Sequence, residues 1–407
     1  MAKNVAKNMD REEDKALMEP MRISTGSAEY LALSDLAMEL ARKSEGFKRS
    51  MPSGTGRALS DLVRSMNCYY SNLIEGHDTH PIDIERALNN DYSDDAKKRD
   101  LQKEARAQIE VQRWIDEGGL AGRAVAAEGL RDVHRRFCEE LPDDLLWVEN
   151  PRTGERIRVV PGELRENEVE VGRHVAISPA AVPRFLEHFE RSYSGLGETE
   201  ALISLAAAHH RLLWIHPFID GNGRVARLMS HAMLLDALDT GGVWSVARGL
   251  ARSSQDYKAK LQDCDSPRRG DFDGRGNLSE AALVGFTRYF LTTCIDQIEF
   301  MEGLVSPDKI RERIIGWCKS QVDAGKLPKQ SPMLLEAVLF RGEIKRGELM
   351  DLLQVARRTT TRVVSELLET GILASDSVKS PLRIAFPAKL APEIMPGLFP
   401  EARMPRK

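Results

Sequence analysis

Residues 216–227 read HPFIDGNGRVAR and place a histidine, a carboxylate, a Gly-Asn-Gly triplet and two arginines within one short stretch. These residue types suit chemistry on a phosphoester. Pro217 lacks a backbone donor, so the helical pattern before it must stop and leave His216 at a helix end. A histidine there, with an ordinary pKa near ~6.5, is a natural base for a hydroxyl nucleophile. The helical pattern restarts after the triplet. Gly221, Asn222 and Gly223 therefore fall at a helix N-terminus, where unpaired N–H groups and the helix dipole favour an anion. Glycine allows phosphate oxygens close to the backbone and permits the φ > 0 of an anion nest. Arg224 and Arg227 are three apart and project from neighbouring positions, a pairing suited to a di- or triphosphate. Asp220 is placed to hold a Mg²⁺ that bridges phosphates. The set specifies phosphoryl or nucleotidyl transfer. A plain Gly-rich connector with a capping Asp and exposed arginines would account for any one of these residues. The complete set in a workable order favours the catalytic reading.

Two apolar helical faces must carry this loop. Upstream, Leu202, Leu205, Ala206, His209, Leu212 and Leu213 share one face; downstream, Val225, Leu228, Met229, Ala232 and Leu235 share another. His209 is expected as a packed core residue rather than a metal ligand, and His210 as polar and partly exposed. Residues 1–28 have little apolar periodicity and read as a mobile arm. Helices are expected across 29–109, one opening at SDLAMELARKSE with Ser34 as N-cap and another covering about 57–76. Residues 147–178 alternate β-branched and polar residues between turn signals and read as one or two short hairpins. Helices resume at Ala181 and run to about Val305, with a Gly/Asp/Arg-rich break at 265–277. A helix and polar linker cover 306–330.

Composition limits the rest. The chain has 407 residues, 42% hydrophobic and 29% charged, with a net charge of −4. That is an ordinary globular composition, and any nucleic-acid surface must be local. The five cysteines are scattered and form no C-x-x-C pair, which disfavours a disulfide framework or zinc ribbon and suits a reducing cytoplasm. No apolar run approaches the ~18 residues of a membrane span. A cytoplasmic location without membrane attachment is expected.

HPFIDGNGRVAR also resembles the signature of Fic-domain proteins at every defined position. The resemblance covers roughly residues 110–305 and implies a mainly α fold, a Fic-type helical bundle with a small β-hairpin flap. The implied activity is transfer of AMP from Mg·ATP to a Ser, Thr or Tyr hydroxyl of a target protein. By that resemblance His216 is the base, Phe218 a buried anchor of the loop and Asp220 the Mg²⁺ ligand. Asn222, with the backbone of Gly221 and Gly223, would hold the α-phosphate, Arg224 the β side and Arg227 the γ-phosphate. The segment PGELRENEVEVGRHVAISP looks like the family's flap, with Val169, Val171, Gly172 and Val175 aligning a target segment by strand pairing. SNLIEG at 71–76 resembles the family's inhibitory motif, through Ser71, Glu75 and Gly76. Its position before the core is that of the class whose inhibitory helix precedes the domain. Glu75 would then occupy Arg227 and compete with the γ-phosphate. Some members use the same glutamate to remove AMP.

The last part of the chain, 331–400, reads as a separate winged helix-turn-helix. SPMLLEAVLFRG, KRGELMDLLQV and ARRTTTRVVSELLETG supply three helices, and ILASDSVKSPLRIAF supplies two strands. Arg357, Arg358, Thr361 and Arg362 gather at the start of the third helix, the end that meets DNA in such folds; Lys379 and Arg383 flank the wing. DNA binding and protein docking are both open for this unit. The resulting expectation is an autoinhibited protein adenylyltransferase with Mg²⁺ as cofactor. Its expected partners are ATP, a protein substrate (the chain itself included), DNA through the C-terminal unit, and a second copy in a homodimer. The alternative is an ATP-sensing, DNA-binding regulator built on the same fold.

Overall fold

The computed structural model describes residues 10–51, 54–149 and 154–400. The molecule is mainly helical. Its N-terminal layer comprises α1 (Ala28–Ser50), α2 (Gly56–Glu75), α3 (Pro81–Leu88) and α4 (Ala96–Asp116). After α5 (Ala127–Glu139) come two hairpins, β1 (Trp147–Glu149) with β2 (Arg156–Arg158) and β3 (Glu170–Val171) with β4 (His174–Val175). Next follow α6 (Val182–Tyr193), α7 (Glu198–Ile215), α8 (Asn222–Leu238), α9 (Ala247–Arg252), α10 (Ser254–Asp263) and α11 (Glu280–Val305).

The centre is the pair α7 and α8, which pack closely on each other and are buried on nearly every side. Neither shows a clean polar stripe, because α1, α6 and α11 cover α7 while α2, α4 and α5 close over α8. His209 is fully buried. Its Nδ1 lies 2.8 Å from the Ser230 hydroxyl of α8 and its Nε2 2.7 Å from the Tyr257 hydroxyl. His210, expected at the surface, is buried instead. It lies 3.0 Å from Asp265 and 2.6 Å from the guanidinium of Arg211, itself fully buried and donating to the Pro20 carbonyl.

That contact shows where the N-terminal arm lies. Residues 1–9 are outside the described residues, but from Asp10 onward the segment read as mobile is packed against the body. Met18, Met21 and Ile23 are buried, the Tyr193 hydroxyl donates to the Met21 carbonyl, and Leu278 donates to that of Glu19. The segment makes one short 3₁₀ turn at Lys15–Met18 and then follows a groove, so three buried apolar residues suffice to hold it. The first long helix also begins earlier than its sequence suggests. Ser27 is the N-cap of α1, accepting from the Glu29 amide at 3.3 Å, whereas Ser34 sits inside the helix and bonds back to the Tyr30 carbonyl.

The C-terminal part comprises α12 (Pro307–Asp323), α13 (Ser331–Arg341), β5 (Glu343–Ile344), α14 (Leu349–Leu353), α15 (Arg357–Glu369), β6 (Leu373–Ala374), β7 (Leu382–Ile384) and α16 (Ala391–Ile394). The two expected strands, β6 and β7, gain a third partner. β5 pairs with β7, giving the antiparallel order β5-β7-β6. This part leans on the N-terminal layer: the Ala388 amide donates to Glu85 of α3, and Arg57 of α2 pairs with Asp376.

Candidate active site

The loop between α7 and α8 presents the residues singled out in the sequence. His216 is the C-cap of α7 and adopts a left-handed backbone (φ 52, ψ 61), with its amide donating to the Leu212 carbonyl. A bulky residue rarely accepts that conformation without external restraint. The restraint is Arg165, only 4% exposed. Its Nε donates to the His216 carbonyl at 2.7 Å, Nη1 to Asn167, and Nη2 to the carbonyls of Ile177 (2.6 Å) and Ile215 (3.3 Å). Its own amide donates to the Pro217 carbonyl. One guanidinium thus ties the base of the hairpin β3–β4 to the end of α7. Burial holds the Arg165 pKa down at about 10, so it stays charged at neutral pH.

Burial, and secondarily the charge of Arg165, lower the His216 imidazole to about 4. It is therefore neutral near pH 7. Its Nδ1 lies 3.3 Å from the Leu213 carbonyl, an arrangement that places the proton on Nδ1 and leaves the Nε2 lone pair free.

Phe218 is fully buried beneath the loop and stacks on the His134 ring of α5, centroids 4.0 Å apart and planes parallel. His134 Nδ1 accepts from the Gly162 amide at 2.9 Å. Asn222 folds its side chain back onto the loop: Oδ1 accepts from the Phe218 amide at 3.0 Å and Nδ2 donates to the Phe218 carbonyl at 2.8 Å. Its side-chain amide braces the turn, which leaves its backbone N–H, at the first position of α8, for an anion. Gly221 takes φ 81 as the N-cap of α8, and no side chain caps the helix. Asp220 is exposed beside it. Although its surface is open on one side, the loop packed around the carboxyl strips it of solvent, and that desolvation, with the Glu75 charge, raises it above the usual range.

Glu75, on the last turn of α2, reaches this helix start. Its Oε1 accepts from Arg227 Nη2 at 2.5 Å, while Arg227 Nε donates to the Ser71 hydroxyl at 2.8 Å. A Cβ on Gly223 would come 2.4 Å from that same carboxylate oxygen. Only glycine admits an anion so close to the backbone here. Burial alone would raise the Glu75 pKa, but the Arg227 charge and hydrogen bond outweigh it and hold the carboxyl below its usual range. Gly76 ends α2 with φ 88, and the His77 amide closes the turn on the Asn72 carbonyl at 2.8 Å. Arg224 lies in the same first turn of α8 and is ion-paired with Glu104 of α4.

The hairpin β3–β4 stands over this loop. Val171 and Val175 are 48% and 58% exposed, Val169 is half-buried, and Gly172 sits at the turn with φ 62. His174 Nε2 lies 2.7 Å from the Trp214 carbonyl near the end of α7. The N-terminal arm reinforces the hairpin base, with Arg11 donating to the Ala176 carbonyl and Glu13 accepting from the Ser178 amide. Arg357, Arg358, Thr361 and Arg362 are exposed on α15, in the C-terminal part; Arg362 is paired with Glu366 at 2.6 Å. Arg383 turns back to Asp376.

The structure brings the loop, Glu75 and the hairpin singled out in the sequence close together, and adds Arg165, His134 and Glu104, which the sequence does not single out. Each has a partner far away in the chain, His216, Phe218 and Arg224 respectively, and only Arg165 lies inside a segment singled out in the sequence.

Residues 124–234 match the Fic/DOC family. Among curated proteins, the chain is similar to Protein adenylyltransferase Fic of Drosophila erecta, 25% identical over 239 residues, and of Drosophila yakuba, 38% identical over 96 residues. These alignments cover 55% and 23% of this chain but 45% and 19% of the relatives, so the chain spans less than half the length of either. Among solved structures, a Fic family protein from Desulfovibrio desulfuricans aligns with a TM-score of 0.52 at 16% identity, covering 89% of this chain and 98% of that one. Fic-1 (residues 134–508 of that protein) from C. elegans aligns with a TM-score of 0.51 at 17% identity, covering 67% of this chain and 72% of that one. The segment that holds the α7–α8 loop thus matches the Fic/DOC family, and the helical frame around it shares its fold with solved Fic-family structures.

Proposed function

We propose that the chain is a protein adenylyltransferase that moves AMP from Mg·ATP to a hydroxyl of a target protein and is held inactive by Glu75. One observation carries this reading. The N-terminus of α8 already receives an anion, the Glu75 carboxylate, over Gly223 and on Arg227. A site that accepts a carboxylate in that position has the charge and the room for a phosphate.

His216 takes the hydroxyl proton on Nε2 as the hydroxyl oxygen bonds to the α-phosphorus; the bond to the pyrophosphate oxygen breaks and pyrophosphate leaves. The N–H groups at the start of α8 receive the charge that develops on the α-phosphate oxygens. Arg224 and Arg227 hold the outer phosphates. Asp220 fits Mg²⁺ as one carboxylate on an ion held mainly by phosphate oxygens, and among the described residues no cluster of three ligating side chains could hold a metal alone. Such an ion would neutralise phosphate charge. With Glu75 on Arg227, the γ-phosphate loses its partner and ATP cannot seat its α-phosphate for in-line attack.

The exposed valines of β3–β4 are the candidate edge for a target strand. The C-terminal part is read as a winged helix-turn-helix whose outward face is α15, open to DNA or protein.

The reaction is tested by incubating the Glu75→Gly form with ATP labelled at the α- or the γ-phosphate. The expected outcome is protein-bound label from the α position only, abolished by His216→Ala. ATP binding with no label on any protein would instead favour the ATP-sensing regulator.

A further inference from the structure

Glu75 accounts for one of the two loop arginines, and the other is also held. Arg224 is 6% exposed, with its guanidinium carbon 5.2 Å from the centre of the Phe137 ring. Its Nη2 is ion-paired with Oε1 of Glu104, which is itself 7% exposed. The other Glu104 oxygen lies 3.2 Å from His77 Nδ1, and Arg224 Nη2 lies 3.4 Å from the same nitrogen. Arg224 Nε is enclosed and has no hydrogen-bond partner among the described residues. A buried donor left unmade beside an anion-binding helix start calls for an acceptor.

We propose that Glu104 is a second carboxylate lock on the nucleotide site, holding Arg224 as Glu75 holds Arg227. The proposal rests on the nucleotide reading given above. A guanidinium offers phosphate its full charge only when no carboxylate already neutralises it, and in a shielded site the two acceptors compete for one fork. With both pairs made, the two cations of the loop are matched by two carboxylates, and Asp220 adds a third. Displacement need not strand Glu104, because neutral His77 can donate to it from Nδ1–H. The two locks come from different helices, α2 and α4, and act on arginines one turn apart on α8. They therefore guard different phosphates: Glu75 the γ-phosphate and Glu104 the β-phosphate.

The test is calorimetric titration of full-length wild type, Glu75→Gly, Glu104→Gln and the double variant with ATP, ADP and AMP in the presence of Mg²⁺. Gln keeps the shape of Glu104 and removes its charge. Glu104→Gln is expected to tighten both ATP and ADP by about tenfold and to leave AMP within about twofold, from relief of a contact charge pair. Glu75→Gly is expected to favour ATP over ADP. Unchanged or weaker binding of ATP and ADP by Glu104→Gln, in a protein that melts like wild type, would overturn the proposal. If that variant melts early, Glu104→Asp withdraws the carboxylate by one methylene and must tighten ADP in the same direction; failure to do so overturns it equally. No binding of any nucleotide by any of the four proteins would instead overturn the nucleotide reading.

Discussion

Arg165 gives the clearest view of how single residues set up this site. Four backbone carbonyls converge on its guanidinium, and the His216 carbonyl is the nearest to the chemistry. Removing the charge would orphan those acceptors and release the left-handed backbone of His216. Arg165→Met is therefore expected to lower kcat for AMP transfer at least about tenfold with little change in KM for ATP, because the proposed phosphate ligands lie on α8. Arg165→Lys, with three donors from one nitrogen, should recover only part of the loss. A rise in KM at unchanged kcat would show that Arg165 supports nucleotide binding rather than the base. At this scale the sequence was legible where residues are contiguous. His216, Asp220, Gly221, Gly223, Arg224 and Arg227 lie on one loop and helix start, so their spacing is their geometry. Arg165 reaches the His216 carbonyl, His134 the Phe218 ring and Glu104 the Arg224 guanidinium, each across more than fifty residues of chain, and no local periodicity records such contacts. Asn222 shows the converse: its place in the motif suggests a phosphate ligand, while its side-chain amide closes the turn on Phe218.

Among elements, α2 joins the site to the rest of the molecule. Its inner end carries Ser71 and Glu75, and its outer face meets the last described stretch of the chain. The Tyr70 hydroxyl donates to the Leu398 carbonyl at 2.9 Å, and the Tyr69 ring meets Phe399 edge-on at 5.7 Å. Arg248 and Arg313 hold the same stretch through the carbonyls of Gly397 and Ile394, each at 2.9 Å. Tyr70 is buried, so Tyr70→Phe leaves a buried carbonyl without its donor while preserving the ring. The expected cost is about 1 kcal/mol of folding stability, measured by chemical denaturation. Stability equal to wild type would show that the tail does not fasten α2. Helix α2 was read almost to its limits from its apolar spacing and terminal glycine. β5 was not, because two residues after a helix carry no alternation, and their strand character comes from pairing with β7.

At the scale of the whole molecule, the site is assembled from parts that the chain order separates. The proposed base comes from the end of α7, the proposed phosphate site from the start of α8, and the two carboxylates paired with its arginines from α2 and α4. The hairpin over it is fastened by the N-terminal arm. That arm shows why a periodicity argument has a boundary: Met18, Met21 and Ile23 are buried in a groove that exists only once α6, α7 and α11 have packed. The molecule is thus arranged so that its N-terminal helices cover the proposed nucleotide site, which lies in the segment that matches the Fic/DOC family. The most direct test is the rate of AMP incorporation from α-labelled ATP by wild type and Glu75→Gly, side by side at matched ATP. Removal of one charge-assisted pair from Arg227 predicts an increase of at least about tenfold in the variant. Equal incorporation by the two proteins would contradict the account.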